Sequence, residues 1–258
     1  MLFDTHVHLN SRMYKKDLNE VMERALEVGV TRMAVIGFDA PSNTRAIELA
    51  EQYEFIYAVV GIHPSDARSA TENSWAVLRK QLKHPKVVAL GECGFDYYHD
   101  TSFNDIQRKV FKKQLEIAKE MNMPIVVHMR DSVHDTYEML REHGGGLGGV
   151  LHCYSGDVEM MHKFLDLGFY IGLDGPVTFK NAHSVHEVAK AVPIDRLVIE
   201  TDAPYLTPAP YRGKRNEPAY VSYVAEKIAT LKGMTYEEVC RITTENGLRM
   251  YQINESIN

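Results

Sequence analysis

Cysteine is scarce in this chain of 258 residues: Cys93, Cys153 and Cys240 form no C-x-x-C pair, and an odd number builds no closed disulfide framework. That leaves no thiolate cage for structural zinc and fits a reducing, cytoplasmic setting. No apolar run reaches ~18 residues, so no membrane span is expected. The amino terminus runs from Met1 straight into Leu2-Phe3-Asp4-Thr5-His6, without the basic and apolar regions of an export signal. Positive charge is also short, with 29 Lys plus Arg against 35 Asp plus Glu and a net charge of −6 with histidine neutral. A broad non-specific duplex-binding surface is therefore excluded, and any nucleic-acid contact should be local. Gly/Ser linkers and internal repeats are missing, and the Gly144–Gly149 cluster is not followed by the Lys-Ser/Thr of a phosphate loop. The oligomeric state is not specified; a monomer is compatible with everything above.

What is present is a rhythm. Short β-branched or apolar runs recur about every 25 to 35 residues, separated by stretches of helical period, as in βα units around a parallel sheet. Eight can be counted: Leu2–His8, Arg32–Gly37, Ile56–Gly61, Val87–Glu92, Ile125–His128, Gly149–His152, Phe169–Gly172 and Leu197–Asp202. Eight strands in a chain of this length predict an α/β protein, a (β/α)8 barrel forming one domain over residues 1–258. Between the runs, Ile106, Val110, Phe111, Leu115, Ile117, Ala118 and Met121 set one apolar stripe on a helix over Phe103–Met121. Thr71–Leu82, Ser132–Glu142, Val158–Leu167, Ser184–Ala191 and Pro218–Leu231 read similarly, and Thr235-Tyr-Glu-Glu238 reads as a capping box opening a final helix.

The chemistry-bearing residues sit at the carboxyl ends of these runs: His6 and His8, Glu92, His128, His152 and Asp202. In a barrel those ends form one face. Residues i and i+2 of a strand point the same way, so His6 and His8 can enter the mouth together while Val7 turns to the helices. Any one of these residues alone would be an ordinary buried polar group; all of them under one topology predict a metal centre. The set is imidazole and carboxylate without thiolate, which suits catalytic zinc, manganese, nickel or magnesium and does not choose among them. Six candidate ligands exceed the usual three of a mononuclear catalytic zinc site, so two ions ~3.5 to 4 Å apart are expected, with Glu92 bridging.

The residues resemble the TatD-type metal-dependent deoxyribonucleases within the wider amidohydrolase-like barrels. The resemblance covers nearly the whole chain and rests on Phe3-Asp4-Thr5-His6-Val7-His8, Gly61-Ile62-His63-Pro64, Gly91-Glu92-Cys93-Gly94-Phe95-Asp96-Tyr97, Val126-Val127-His128-Met129-Arg130-Asp131, His152-Cys153-Tyr154-Ser155-Gly156 and Glu200-Thr201-Asp202-Ala203-Pro204-Tyr205. It implies that His6, His8, Glu92 and Asp202 hold a first metal and that Glu92, His128 and His152 hold a second. It further implies hydrolysis of DNA phosphodiesters, often from the 3′ end. Some members lack the first H-x-H; this chain keeps it.

Metal-activated water removes the need for a covalent protein nucleophile, and none is evident. Asp202 is the expected general base and metal ligand, with Glu92 the other catalytic carboxylate. His63, before Pro64, and Arg130, two past His128, are expected to meet a substrate phosphate. Arg212, in the basic run Tyr211-Arg212-Gly213-Lys214-Arg215-Asn216, is expected to do the same. Tyr97, Tyr98 and Tyr205 lie in loops where an aromatic could stack a base or simply pack. Glu200 should orient ligands from deeper in the barrel, while Cys93 and Cys153, each following a ligand, should point to the helices. The alternatives are an amidohydrolase-type small-molecule hydrolase and a non-catalytic metal-stabilised binding protein. Against the first stand the basic loop and Glu92, which occupies the place where such enzymes often carry a carboxylated lysine.

Overall fold

Runs of Val, Ile and Leu buried on both faces suit parallel strands covered by helices, and the computed structural model, which describes residues 1–98 and 100–254, contains eight of them. In chain order the elements are β1 (Leu2–Val7), α1 (Leu18–Glu27), β2 (Val30–Ile36), α2 (Ala40–Gln52), β3 (Ile56–Val60), α3 (Glu72–Gln81), β4 (Val87–Asp96) and α4 (Asn104–Met121). There follow β5 (Ile125–Arg130), α5 (Val133–His143), β6 (Gly149–Leu151), α6 (Val158–Asp166), β7 (Phe169–Leu173), α7 (His183–Ala191), β8 (Leu197–Ile199), α8 (Val221–Lys232) and α9 (Tyr236–Met250). Neighbouring strands pair in parallel in sequence order. The circle closes where His8 N–H donates to Ala203 O at 2.8 Å and Asp202 N–H to His6 O at 2.9 Å. This is a (β/α)8 barrel.

Two apolar layers hold it. Inside the barrel, Phe3, Tyr57, Ala89, Val126, Tyr170 and Val198 pack together, and Tyr251 closes the floor with its hydroxyl donated to Thr5 O at 2.7 Å. Between strands and helices lies the larger layer, which includes Val7, Val35, Leu90, Cys93, Phe111 and Leu115. Strand ends differ from the sequence pattern: β4 runs on to Asp96 and β5 to Arg130, whereas β6 stops before His152 and β8 three residues before Asp202. On α4, Ile106 is 39% exposed rather than part of the stripe. Gln107 and Gln114 are buried there instead, because each clamps the backbone of a loop on the active face.

Candidate metal centre

The candidate ligands reach one mouth because the ladder slips where they stand. The β1–β2 register shifts between Asp4 and Val7, and the β4–β5 register shifts between Leu90 and Cys93. Such irregularities re-aim side chains beside functional sites. Phe3 and His6, three residues apart, both face inward, as do Ala89 and Glu92, which strict alternation forbids. His8, His152 and Asp202 lie just past their strands. Asp202 adopts the left-handed region at φ 54°, which aspartate tolerates better than most residues.

Glu92 is the hub. Its Oε2 lies 3.7 Å from His6 Nε2 and 3.8 Å from His8 Nε2, while its Oε1 lies 2.7 Å from His128 Nδ1 and 2.9 Å from His152 Nε2. Asp202 Oδ1 stands on the Oε2 side, 3.3 Å from His8 Nε2 and 3.5 Å from His6 Nε2. The second-sphere contacts assign ring protons. His8 Nδ1 faces Ile36 O at 3.0 Å and His128 Nε2 faces Asp96 Oδ2 at 3.0 Å, so each neutral ring donates there and turns its lone pair inward. The Nε2 atoms of His6 and His8 are 3.3 Å apart, as are His128 Nδ1 and His152 Nε2. Lone pairs so close, each pair beside a carboxylate oxygen, suit divalent cations held by mixed nitrogen and oxygen donors. The donor atoms of His6, His8 and Glu92 lie within 4.8 Å of one another, as do those of His6, His152 and Asp202 and those of His63, Glu92 and His128.

The carboxylates favour protons on His8, His128 and His152 despite burial, Asp202 acting on the first, Asp96 and Glu92 on the second, Glu92 and Glu200 on the third. A cation would take the place of those protons. Burial works to raise the Glu92 carboxyl, but the imidazoles of His152, His63 and His128 outweigh it and hold it well below the usual carboxylate range. Burial, then neighbouring His152, pushes His6 far down, so its ring is neutral. Burial and facing His128 bring His63 to about 3. His63 Nδ1 accepts the Ser65 backbone N–H at 3.1 Å, so the neutral ring carries its proton on Nε2, 3.8 Å from Glu92 Oε1. His63 is thus presented as a donor rather than a ligand.

Two residues emerge that the sequence reading left out or misplaced. Asp96 lies four residues past Glu92 on β4, on the same side, and fixes the His128 ring; the quoted motif contained it, but the expected strand ended too early to place it. Cys153 was expected to face the helices, yet it lines the mouth. With φ 45° it sits past the end of β6, where strand alternation no longer applies, and its N–H donates to Glu200 Oε1 at 2.6 Å. Glu200 in turn stands 3.5 Å from His152 Nδ1, and Gly172 leaves its carboxylate room, since a Cβ there would fall 2.7 Å from Oε2. Cys93 is wholly buried in the outer layer.

Above the cluster opens a cavity of about 650 Å³, walled in part by His63, Arg130, Cys153, Tyr205 and Leu206. The Arg130 guanidinium lies 3.8 Å over the Tyr98 ring. Arg212 is exposed, stacks 4.1 Å over Phe179 and stands outside that wall. Arg215 is turned inward instead, donating to Asp17 Oδ2 at 2.6 Å and Glu217 Oε1 at 3.3 Å beneath the Tyr14 ring. Of the basic run, Arg215 is therefore engaged by two carboxylates rather than open to a substrate phosphate. Among the described residues no helix is long and apolar enough to cross a membrane.

A parallel eight-stranded barrel with imidazoles and carboxylates converging at the carboxyl ends of its strands defines a metal-dependent hydrolase. The chain belongs to the TatD-related DNase family, whose model matches residues 3–252. It is 52% identical over 255 residues to the metal-dependent hydrolase YabD of Bacillus subtilis, covering 98% of this chain and 100% of that one. It is 33% identical over 260 residues to the 3′-5′ ssDNA/RNA exonuclease TatD of Salmonella typhimurium, covering 98% and 99%. Among solved structures, the TatD homologue YJJV of Escherichia coli K12 superposes with a TM-score of 0.93 at 28% identity over 98% of each chain.

Proposed function

We propose that this protein is a two-metal phosphodiesterase that shortens DNA from an end, acting on single-stranded or frayed 3′ termini. The observation that carries the reading is the division of Glu92: one oxygen faces His6 and His8, the other faces His128 and His152. His6, His8, Asp202 and Oε2 of Glu92 would hold one ion, and His128, His152 and Oε1 of Glu92 the other. Divalent metal bound there supplies water activated at neutral pH and neutralises charge on phosphate oxygens. Asp202, which reaches the cavity wall, takes the proton of the attacking water. His63 offers its Nε2–H to a phosphate oxygen, and Arg130 offers its guanidinium from the wall. Tyr205 and Leu206, 55% and 38% exposed, give the terminal base an apolar shelf beside the cluster. Asn216 holds that shelf in place by donating to Tyr205 O at 2.6 Å. Arg212 meets a more distant phosphate. The name of the Salmonella relative supports strand polarity and substrate.

The test incubates protein loaded with magnesium, manganese, zinc or nickel with 5′-labelled single- and double-stranded oligonucleotides. Mononucleotide-spaced shortening from the 3′ end, abolished by chelation and faster on single strands, is expected. Absence of phosphodiester cleavage with every metal, together with turnover of amides or lactones, would reassign the site to small-molecule hydrolysis.

A further inference from the structure

The cavity above the cluster continues past Asp96. Ser65 and Asp96 wall both it and a second hollow of about 380 Å³, completed by Arg68, Asp100, Phe103 and Gln107. None of the proposed chemistry uses this hollow. Its position follows from the elements that carry the site: Arg68 rides on the 3-10 turn Pro64–Ser69 that begins at His63, and Phe103 stands at the head of α4. Its size suits a small planar ligand, being within the range of small-molecule pockets.

Charge and shape choose the class of occupant. Arg68 Nη2 donates to Asp100 Oδ2 at 3.0 Å and to Ser102 Oγ at 2.9 Å, so its charge is matched locally. Asp96 is occupied by His128, and both ends of the Gln107 amide are taken by the Asp96 backbone, at 3.0 and 2.9 Å. Among the described residues the hollow therefore carries no unmatched cation to draw a phosphate. What it presents is a flat guanidinium lying 4.1 Å over the Phe103 ring and hydrogen-bonded to Asp100 and Ser102. Nucleobases stack on such planes irrespective of sequence.

We infer that this hollow is a second nucleobase subsite, which takes the base on the His128 side of the scissile phosphate while Tyr205 and Leu206 meet the base on the other. The inference rests on the phosphodiesterase reading. It makes the minimal good substrate a dinucleotide gripped on both sides of the bond that breaks.

The experiment measures calorimetric binding of a thymidine dinucleotide with a non-hydrolysable methylphosphonate linkage to metal-loaded wild type, Arg68→Ala, Arg68→Lys and Phe103→Leu. In parallel, kcat/KM is measured for the natural dinucleotide and for bis(p-nitrophenyl) phosphate, which has no base. Both Arg68 variants should bind the dinucleotide about 10-fold more weakly, the order of one lost base stack. The ratio of dinucleotide to small-diester kcat/KM should fall by a similar factor through KM. Phe103→Leu, which keeps apolar packing at the head of α4, should fall in the same direction by less. Thermal melts identify any variant that is simply unfolded, and Phe103→Leu keeps the question open to answer if Arg68→Ala is. Undiminished affinity in the Arg68 and Phe103 variants would overturn the subsite. Full rescue by lysine would also overturn it, since a point charge would then be gripping phosphate. A wild type that cleaves neither diester with any metal sinks the phosphodiesterase reading, and the binding data still decide the subsite.

Discussion

Replacing Asp202 by asparagine keeps the shape of the side chain but removes an anionic group beside His6 and His8 and the proposed acceptor for the water proton. Activity should fall by about 10²- to 10⁴-fold with an unchanged circular dichroism spectrum; retained turnover at saturating metal would remove Asp202 from the mechanism. Asp96 acts one shell out, and Asp96→Asn leaves the His128 ring less firmly oriented. Its metal affinity should drop by about 10- to 100-fold in a competition titration, with much of the activity restored at excess metal. Asp4 is a different case. Burial lifts its carboxyl to about 8 despite hydrogen bonds from Thr201, whereas the unfolded carboxyl titrates near ~3.9. Between those values the folded chain holds a proton that the unfolded chain has released, so Asp4 makes stability decline as pH rises through that window. The melting temperature of Asp4→Asn should therefore gain on wild type between pH ~4 and ~8, and a pH-independent gap would show that Asp4 is ionised throughout.

At the scale of elements, the loops of the active face are held by buried amides rather than by strand pairing. Asn43 clamps Gly61 at 2.9 and 3.1 Å, Gln114 clamps Ile62 at 2.8 and 2.9 Å, and Gln107 clamps Asp96, so His63 and Asp96 are placed from α2 and α4. The basic loop divides in the same spirit. Arg215 ties it to Asp17 before α1 and to Glu217 before α8, whereas Arg212 rests on Phe179 alone among its described ring contacts. Arg215→Ala should cost about 1 kcal/mol, the partial exposure of the pair limiting the loss, and lower the melting temperature by about 2–4 °C. Arg212→Ala should leave that temperature in place and weaken oligonucleotide binding. The reverse pattern would exchange their roles. Helices with a strong cap were legible: Thr235 and Glu238 form the expected box, with Glu238 N–H reaching Thr235 Oγ1 at 3.2 Å. The sequence pattern passed over α1 and α2; α2 starts from a capping box between Asp39 and Ser42 that has no Glu or Gln to advertise it.

For the whole molecule, a net charge of −6 with one local basic loop predicts weak dependence on salt. Each phosphate neutralised contributes a slope of about −0.9 to log affinity against log salt on duplex, or about −0.7 on single strands. The measured slope should correspond to about one to three contacts, and a steep slope with efficient internal nicking of long duplex would overturn the end-directed reading. The barrel and the gathering of six imidazole and carboxylate side chains at its mouth could be read in the chain itself, because βα periodicity and residue type at strand ends are local properties repeated many times. Where strands stop is not local. Whether β4 continues to Asp96, or β6 ends before His152, depends on the hydrogen bonds a neighbour offers, and so Asp96 was overlooked and Cys153 was assigned to the wrong side. Arg212 and Arg215 look equivalent in one dimension; Asp17, nearly two hundred residues upstream, is what separates them. Likewise only the closed barrel brings the two oxygens of Glu92 between two pairs of histidines. The sequence thus determined which side chains are available and on which face of the fold, while the tertiary structure decided their partners, because a partner's charge and lone pairs act across distances in space that the chain does not encode by proximity.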